Sequence, residues 1–185
     1  MSFGSNDFAR RFGGTVSGWT VIGSGIDWLS ESRFGADDGQ LSVDLQSNSP
    51  GGVFINIPTV TGETYEISFA AAAPSSFASG GNAGTVNAGD LNQVFTTTVG
   101  GSLAAPNWEQ FSFNFLAQAT STRITFTANA QNGIGFGPVI DDVSVVLAQS
   151  QNSSQVPAPA PVLLLGLGLV LSGLIRRRSG GRLHR

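Results

Sequence analysis

Cysteine and lysine are both absent from the 185 residues, and the single histidine, His184, stands beside the C-terminal arginine. Without cysteine there are no disulfides, thiolate metal sites or cysteine nucleophiles. One histidine in an arginine-rich terminus gives Ser-His or His-metal chemistry no centre, so an enzyme is not expected. The missing lysine has a second consequence. All twelve acidic residues precede position 143, whereas five of the nine basic ones (Arg176, Arg177, Arg178, Arg182, Arg185) follow position 175. Four basic against twelve acidic residues leave the body at −8, and the end carries +5. A body of that sign repels phosphate backbones, which excludes nucleic acid as a partner.

Helical periodicity is the next absence. Outside the C-terminal stretch no window of about twelve residues carries a 3.6-residue apolar stripe. From Trp19 to Leu147 the pattern is instead period two, broken by Gly, Pro, Asn and Ser clusters, which is how half-buried strands read. Leu41, Val43 and Leu45 alternate with polar residues, as do Tyr65, Ile67 and Phe69, then Phe111, Phe113 and Phe115, then Val143, Val145 and Leu147. Many short strands that each hide one face pack as two sheets. The expected fold is all-β: a jelly-roll-like β-sandwich over residues 1–148, followed by a single C-terminal transmembrane helix. The Ala-, Ser-, Gly- and Asn-rich stretch from Ala71 to Gly89 predicts a long surface loop. Gly133 to Gly137 reads as a turn before the last strand and Asp37-Asp38-Gly39 as another. A polar linker spans 149–155.

The tail, 156–185, begins Val-Pro-Ala-Pro-Ala-Pro, continues through an apolar run and ends in arginines. Ala158 to Ile175 gives 18 uncharged residues, against the roughly 20 needed to cross a bilayer core. Arg176, Arg177 and Arg178 would stay on the cytoplasmic side and place the body outside. The alternative is a buried apolar helix of the domain, which the arginines and the proline spacer argue against. An exported chain also calls for an N-terminal signal peptide, yet Met1 to Trp19 contains no apolar run of about 7–15 residues. The expectation is that either the start codon is misplaced or the true start lies upstream.

Val156-Pro157-Ala158-Pro159-Ala160, the apolar run and the arginine cluster together resemble the bacterial PEP-C-terminal sorting signal, in a variant without the glutamate of the commonest Val-Pro-Glu-Pro form. The resemblance implies export in a Gram-negative bacterium, anchoring through the C-terminal helix in the cell envelope, and processing near the motif by exosortase. Release outside the cell can follow that cleavage. The body pieces Gly25-Ile26-Asp27-Trp28, Gln40-Leu41-Ser42-Val43-Asp44-Leu45, Gly62 to Phe69, Trp108 to Phe113 and Gly137 to Val145 follow one another as in the choice-of-anchor C family. That resemblance implies a galactose-binding-like sandwich. The family's usual opening is replaced by Gly4-Ser5-Asn6-Asp7-Phe8, which leaves the first strand open.

No cofactor is required. Sandwiches of the galactose-binding-like kind often hold a structural calcium where the final strand begins, so the resemblance makes Asp141 a candidate ligand with Asp7; the other reading is a solvated aspartate at a strand end. Trp19, Trp28 and Trp108 are either stacking surfaces for sugar rings or packing residues. Asp27 beside Trp28 is the best polar-aromatic pair for a glycan site. Three functions follow: an exported envelope or matrix protein associated with extracellular polysaccharide or biofilm, a carbohydrate-binding module, or a hydrolase using two carboxylates among Asp27, Asp37, Asp38 and Asp44. No spacing in the sequence sets up the last.

Overall fold

The computed structural model describes residues 8–73, 82–129 and 136–148, all within the compact unit Met1–Gln149. The tail, with its sorting motif, its apolar run and its arginine cluster, lies outside the described residues, as does Asp7. Among the described residues no helix is long and apolar enough to cross a membrane.

Among the described residues, twelve strands form two six-stranded sheets. The first runs in the order β1 (Phe8–Arg11), β4 (Ile26–Ser30), β5 (Leu41–Asp44), β12 (Val139–Leu147), β7 (Thr64–Ala72) and β10 (Glu109–Leu116). The second runs β2 (Thr15–Val16), β3 (Trp19–Gly23), β6 (Gly51–Pro58), β11 (Ser121–Ala128), β8 (Asn82–Ala88) and β9 (Leu91–Thr97). Neighbouring strands pair antiparallel throughout. The all-β sandwich expected from the alternation is what the chain adopts.

Successive residues of a strand point to opposite faces, so the alternating segments send one set of side chains between the sheets, although Leu41 and Leu147, at strand ends, are exposed and Ser42, Asp44 and Gln46 are buried too. Ile67 and Phe69 of β7 are fully buried between the sheets, and Phe111, Phe113 and Phe115 of β10 pack against them. The ring of Phe69 meets those of Phe95 and Phe126 at centroid distances of 4.9 Å each, edge to face. Truncating such a ring costs about 3–5 kcal/mol. β12 needs a device to keep its phase. Ile140 and Val143 both face the core, three positions apart, and the register slips between Asp141 and Ser144. Asp142, with φ +45°, is the extra residue of that bulge.

In the stretch from Ala71 to Gly89, which composition predicts as a long loop, the described residues are mostly strand, and 74–81 lie outside the described residues. Ala70 to Ala73 are fully buried at the end of β7, and Asn82–Ala88 is a strand paired on both sides, with β11 and β9. Small residues are used because space is short: a side chain at Gly84 would collide with the Phe95 ring. The uncertain opening also resolves, since Phe8–Arg11 pairs with β4 as the edge of the first sheet.

A second, smaller cluster covers the outer face of the first sheet. Leu29, Phe34, Ala72 and Val139 are buried in it, with Phe8, Leu103 and Trp108 packed against them. The loop between β4 and β5 lies over this face. Trp108 holds it by donating its indole N–H to Gly35 O at 3.0 Å and by an edge-to-face contact with Phe34. This cover turns part of an otherwise open sheet into a walled recess.

Candidate ligand-binding site

Asp27 and Trp28 are neighbours on β4 and therefore point in opposite directions. Trp28 enters the main core at 8% exposure, while Asp27 joins Leu29 on the outer face. The proposed polar-aromatic pair is thus divided by the sheet itself. The indole packs between the sheets and offers no open face for a sugar on Asp27's side.

What the register gives Asp27 is a different set of neighbours. Arg10 on β1 stands directly opposite it on one side and Asp44 on β5 on the other, and Val139 of β12 continues the row. Phe8 and Leu29 form the next row of the same face. Together with Arg33, Phe34, Leu103 and Phe136 from the covering loops, these residues enclose a recess of about 60 Å³. The guanidinium carbons of Arg10 and Arg33 lie 5.8 and 5.6 Å from the Phe8 ring centre, so the aromatic wall and both cations are held together.

The two carboxylates differ. Asp44, 2% exposed, has its Oδ1 bound by the backbone amides of Gln46 and Gly137, both at 2.9 Å. A side chain at position 137 would run into Gln46, so glycine is what lets that amide come close. Burial raises the pKa of Asp44 well above the ordinary carboxylate value; the two amides work against this, and the neighbouring Asp27 charge adds to it. Asp27 is also raised by burial, opposed by the Ser47 hydroxyl and by Arg10. Arg10 Nε stands 3.6 Å from Asp27 Oδ1, an ion pair without a hydrogen bond. Ser47 Oγ is near enough to favour the charged form but short of hydrogen-bond geometry, so among the described residues Oδ1 is a buried acceptor with no hydrogen-bond donor. Such an atom costs about 1–3 kcal/mol unless something donates to it.

Asp141 does another job. It is the third residue of β12, near the strand's start as expected, and half-buried. Its Oδ2 accepts from the amides of Asp37 and Asp38, at 2.9 and 3.2 Å, and its Oδ1 from that of Asp142 at 2.8 Å. Burial nonetheless raises its pKa. Gln110 Nε2 donates to Asp37 Oδ2 at 2.9 Å, fixing the same loop from β10. Asp37 and Asp38 therefore serve as a turn, as expected. Among the described residues no group of three or more His, Cys, Asp or Glu side chains is placed to hold a metal ion. Trp19 is half-buried, with its ring 5.9 Å from that of Phe126.

Asp44 is among the candidate carboxylates with Asp27, but composition and spacing do not disclose that the two stand side by side. Its place in Leu41-Ser42-Val43-Asp44-Leu45 reads as an ordinary polar outward position, and only the covering loop makes it buried. Asp27 and Asp44 project side by side from one face.

Residues 10–146 match the model of a family described as "Protein of unknown function (DUF642)". Halomucin of Haloquadratum walsbyi (strain DSM 16790 / HBSQ001) is 28% identical over 132 residues, 71% of this chain, and the chain spans about 1% of the length of that relative. Among solved structures, TmCBM61, seen in complex with beta-1,4-galactotriose, superposes with a TM-score of 0.51 at 16% identity, covering 71% of this chain and 90% of that one. A family 35 carbohydrate binding module from Clostridium thermocellum gives a TM-score of 0.48 at 16% identity over 76% of this chain and 98% of its own.

Proposed function

The chain belongs to the DUF642 family, and from that premise we propose that its sandwich is a non-catalytic carbohydrate-binding module of an exported protein. The observation that carries the reading is the buried Asp27 Oδ1, ion-paired with Arg10 at 3.6 Å but without a hydrogen-bond donor among the described residues, in a recess walled by Phe8, Phe34 and Phe136 and flanked by Arg10 and Arg33. A buried carboxylate oxygen wants a hydroxyl donor, guanidinium groups donate to hydroxyl and ring oxygens, and phenylalanine faces cover the C–H side of a pyranose. Sugars present all three features at once. A recess of 60 Å³ takes one edge of a ring and leaves the rest of the chain outside, as suits a polysaccharide bound along its length.

The module that shares this fold and was solved with beta-1,4-galactotriose makes galactan the first ligand to try. Affinity electrophoresis of the full chain through gels containing galactan, xylan, mannan or glucan should show retardation by at least one of them. Phe8→Ala and Arg33→Ala, both at the edge of the recess, should each weaken binding about tenfold. Unretarded migration in all four gels, or variants retarded as strongly as wild type, overturns the reading.

A second, compatible reading concerns delivery. The proline motif Val156 to Ala160, the apolar run and Arg176 to Arg178 support an exosortase-processed sorting tail that holds the module outside the cytoplasm in the envelope before release. On that reading the partners are exosortase, the membrane and an extracellular polysaccharide.

A further inference from the structure

On the inner side of β4 there is another cavity, separate from the sugar recess. It lies between the sheets, with Val16 of β2 and Trp19 of β3 on one side and Ile26 and Trp28 of β4, Val43 of β5 and Val143 of β12 on the other. Its volume is about 170 Å³. The second sheet ends here in β2, a strand of two residues, and the sandwich is left incompletely filled along that margin.

Trp28 lines this cleft at 8% exposure, and its indole Nε1 has no hydrogen-bond acceptor among the described residues. Trp108, by contrast, spends the same group on Gly35 O. An indole N–H buried without a partner is costly. The walls are mainly Val, Ile and Trp side chains, and among them Ser42 Oγ is also buried without a partner among the described residues, so an occupant of the cleft meets apolar contact and two unsatisfied polar groups. Size and chemistry then converge. An apolar cavity of about 150 Å³ takes one benzene-sized ring, and the exposed carboxylate of Asp142 beside the cleft disfavours an anion.

We propose that this cleft binds an uncharged single-ring organic molecule bearing one hydrogen-bond-accepting oxygen. The ring lies against Val16, Ile26 and Val143 and the oxygen accepts from Trp28 Nε1. The site shares no residue with the recess around Asp27 and stands whether or not that recess binds sugar.

Cyclohexanone is the probe, with cyclohexane as its counterpart lacking the acceptor. The three indole N–H resonances of the full chain are followed by proton–nitrogen correlation spectra, assigned through Trp19→Phe and Trp108→Phe. Cyclohexanone should shift the Trp28 resonance saturably and leave that of Trp108 in place, and it should bind about tenfold tighter than cyclohexane, the worth of one well-made buried hydrogen bond. Trp28→Phe should erase that tenfold preference; if this variant fails to fold, the comparison of the two probes on wild type carries the same contrast. A Trp28 resonance that does not move, movement of all three alike, or equal affinity for the two probes overturns the proposal.

Discussion

Asp44 concentrates most of the electrostatic cost in the fold. Its carboxyl is buried beside Asp27, with Arg10 and Arg33 lining the same recess and the Gln46 and Gly137 amides bound to it. Burial holds its pKa well above the ordinary 3.8, and Asp27 and Asp141 move in the same direction. A group that binds its proton more tightly folded than unfolded makes stability fall as pH rises from the unfolded value through the folded one. Thermal melting should therefore be highest in mildly acid buffer and decline toward neutral pH. Asp44→Asn keeps an Oδ1 acceptor for both amides and removes the charge, so it should flatten the decline and raise the melting temperature at pH 7 by about 2–4 °C for each kcal/mol regained. A pH profile as steep as wild type would refute the assignment. Asp141 makes the complementary case. Three backbone amides already take both of its oxygens, so Asp141→Ala should cost about 1–3 kcal/mol by freeing the loop, with or without a chelator. If a chelator alone lowers the wild-type melting temperature and the variant is insensitive to it, calcium is the partner instead.

At the scale of elements, legibility followed the range of the interaction. The phenylalanines of β10 and the Tyr65-Ile67-Phe69 alternation of β7 announced their inward faces because the pleat is local, and both faces are as expected. β8 stayed hidden because its inward positions are Gly84, Val86 and Ala88, small residues fitted beneath Phe95, and a strand of small residues has a loop's composition. The recess was less legible still. Asp27 could be singled out, but that Asp44 and Arg10 flank it depends on the pairing of β4 with β5 and β1, and no local pattern states a register. The same crossing explains a tight spot at one end of the sandwich. A side chain on Gly51 would strike the backbone oxygen of Gly25, and one on Gly25, with φ +99°, the oxygen of Arg11. Gly51→Ala should then destabilise by about 1–3 kcal/mol or more, as overpacking does. Gly13→Ala, with nothing within 4 Å of the added carbon, should stay within about 0.5 kcal/mol of wild type. Equal denaturation midpoints for the two variants would show that the close approach is not a constraint.

At the scale of the whole chain, the acidic body and the basic end have to be explained together. On the proposed reading, a sugar-binding sandwich is useful only where polysaccharide is, and a sorting tail would be the physical means of placing it there. With 18 uncharged residues from Ala158 to Ile175 the run is only just long enough to cross. Arg176, Arg177 and Arg178 resist passage at about 2.5–3.5 kcal/mol each at the bilayer centre. Replacing all three with serine should let the tail slip through. A sorting protease needs an extended substrate at the membrane edge, and Pro157, Pro159 and Pro161 favour one by fixing their own φ and keeping the preceding residues out of the helical region. Pro157→Ala with Pro159→Ala should extend the helix outward and leave an uncleaved, membrane-bound precursor. A blot of membrane and culture fractions from an exosortase-bearing host, with an antibody to the sandwich, reads the outcome: a shortened wild-type product and a full-length double mutant confined to membranes. If wild type keeps its tail in that host, or both proteins share one size and distribution, the segment is a permanent anchor, and the polysaccharide the module meets is the one at the cell's own surface.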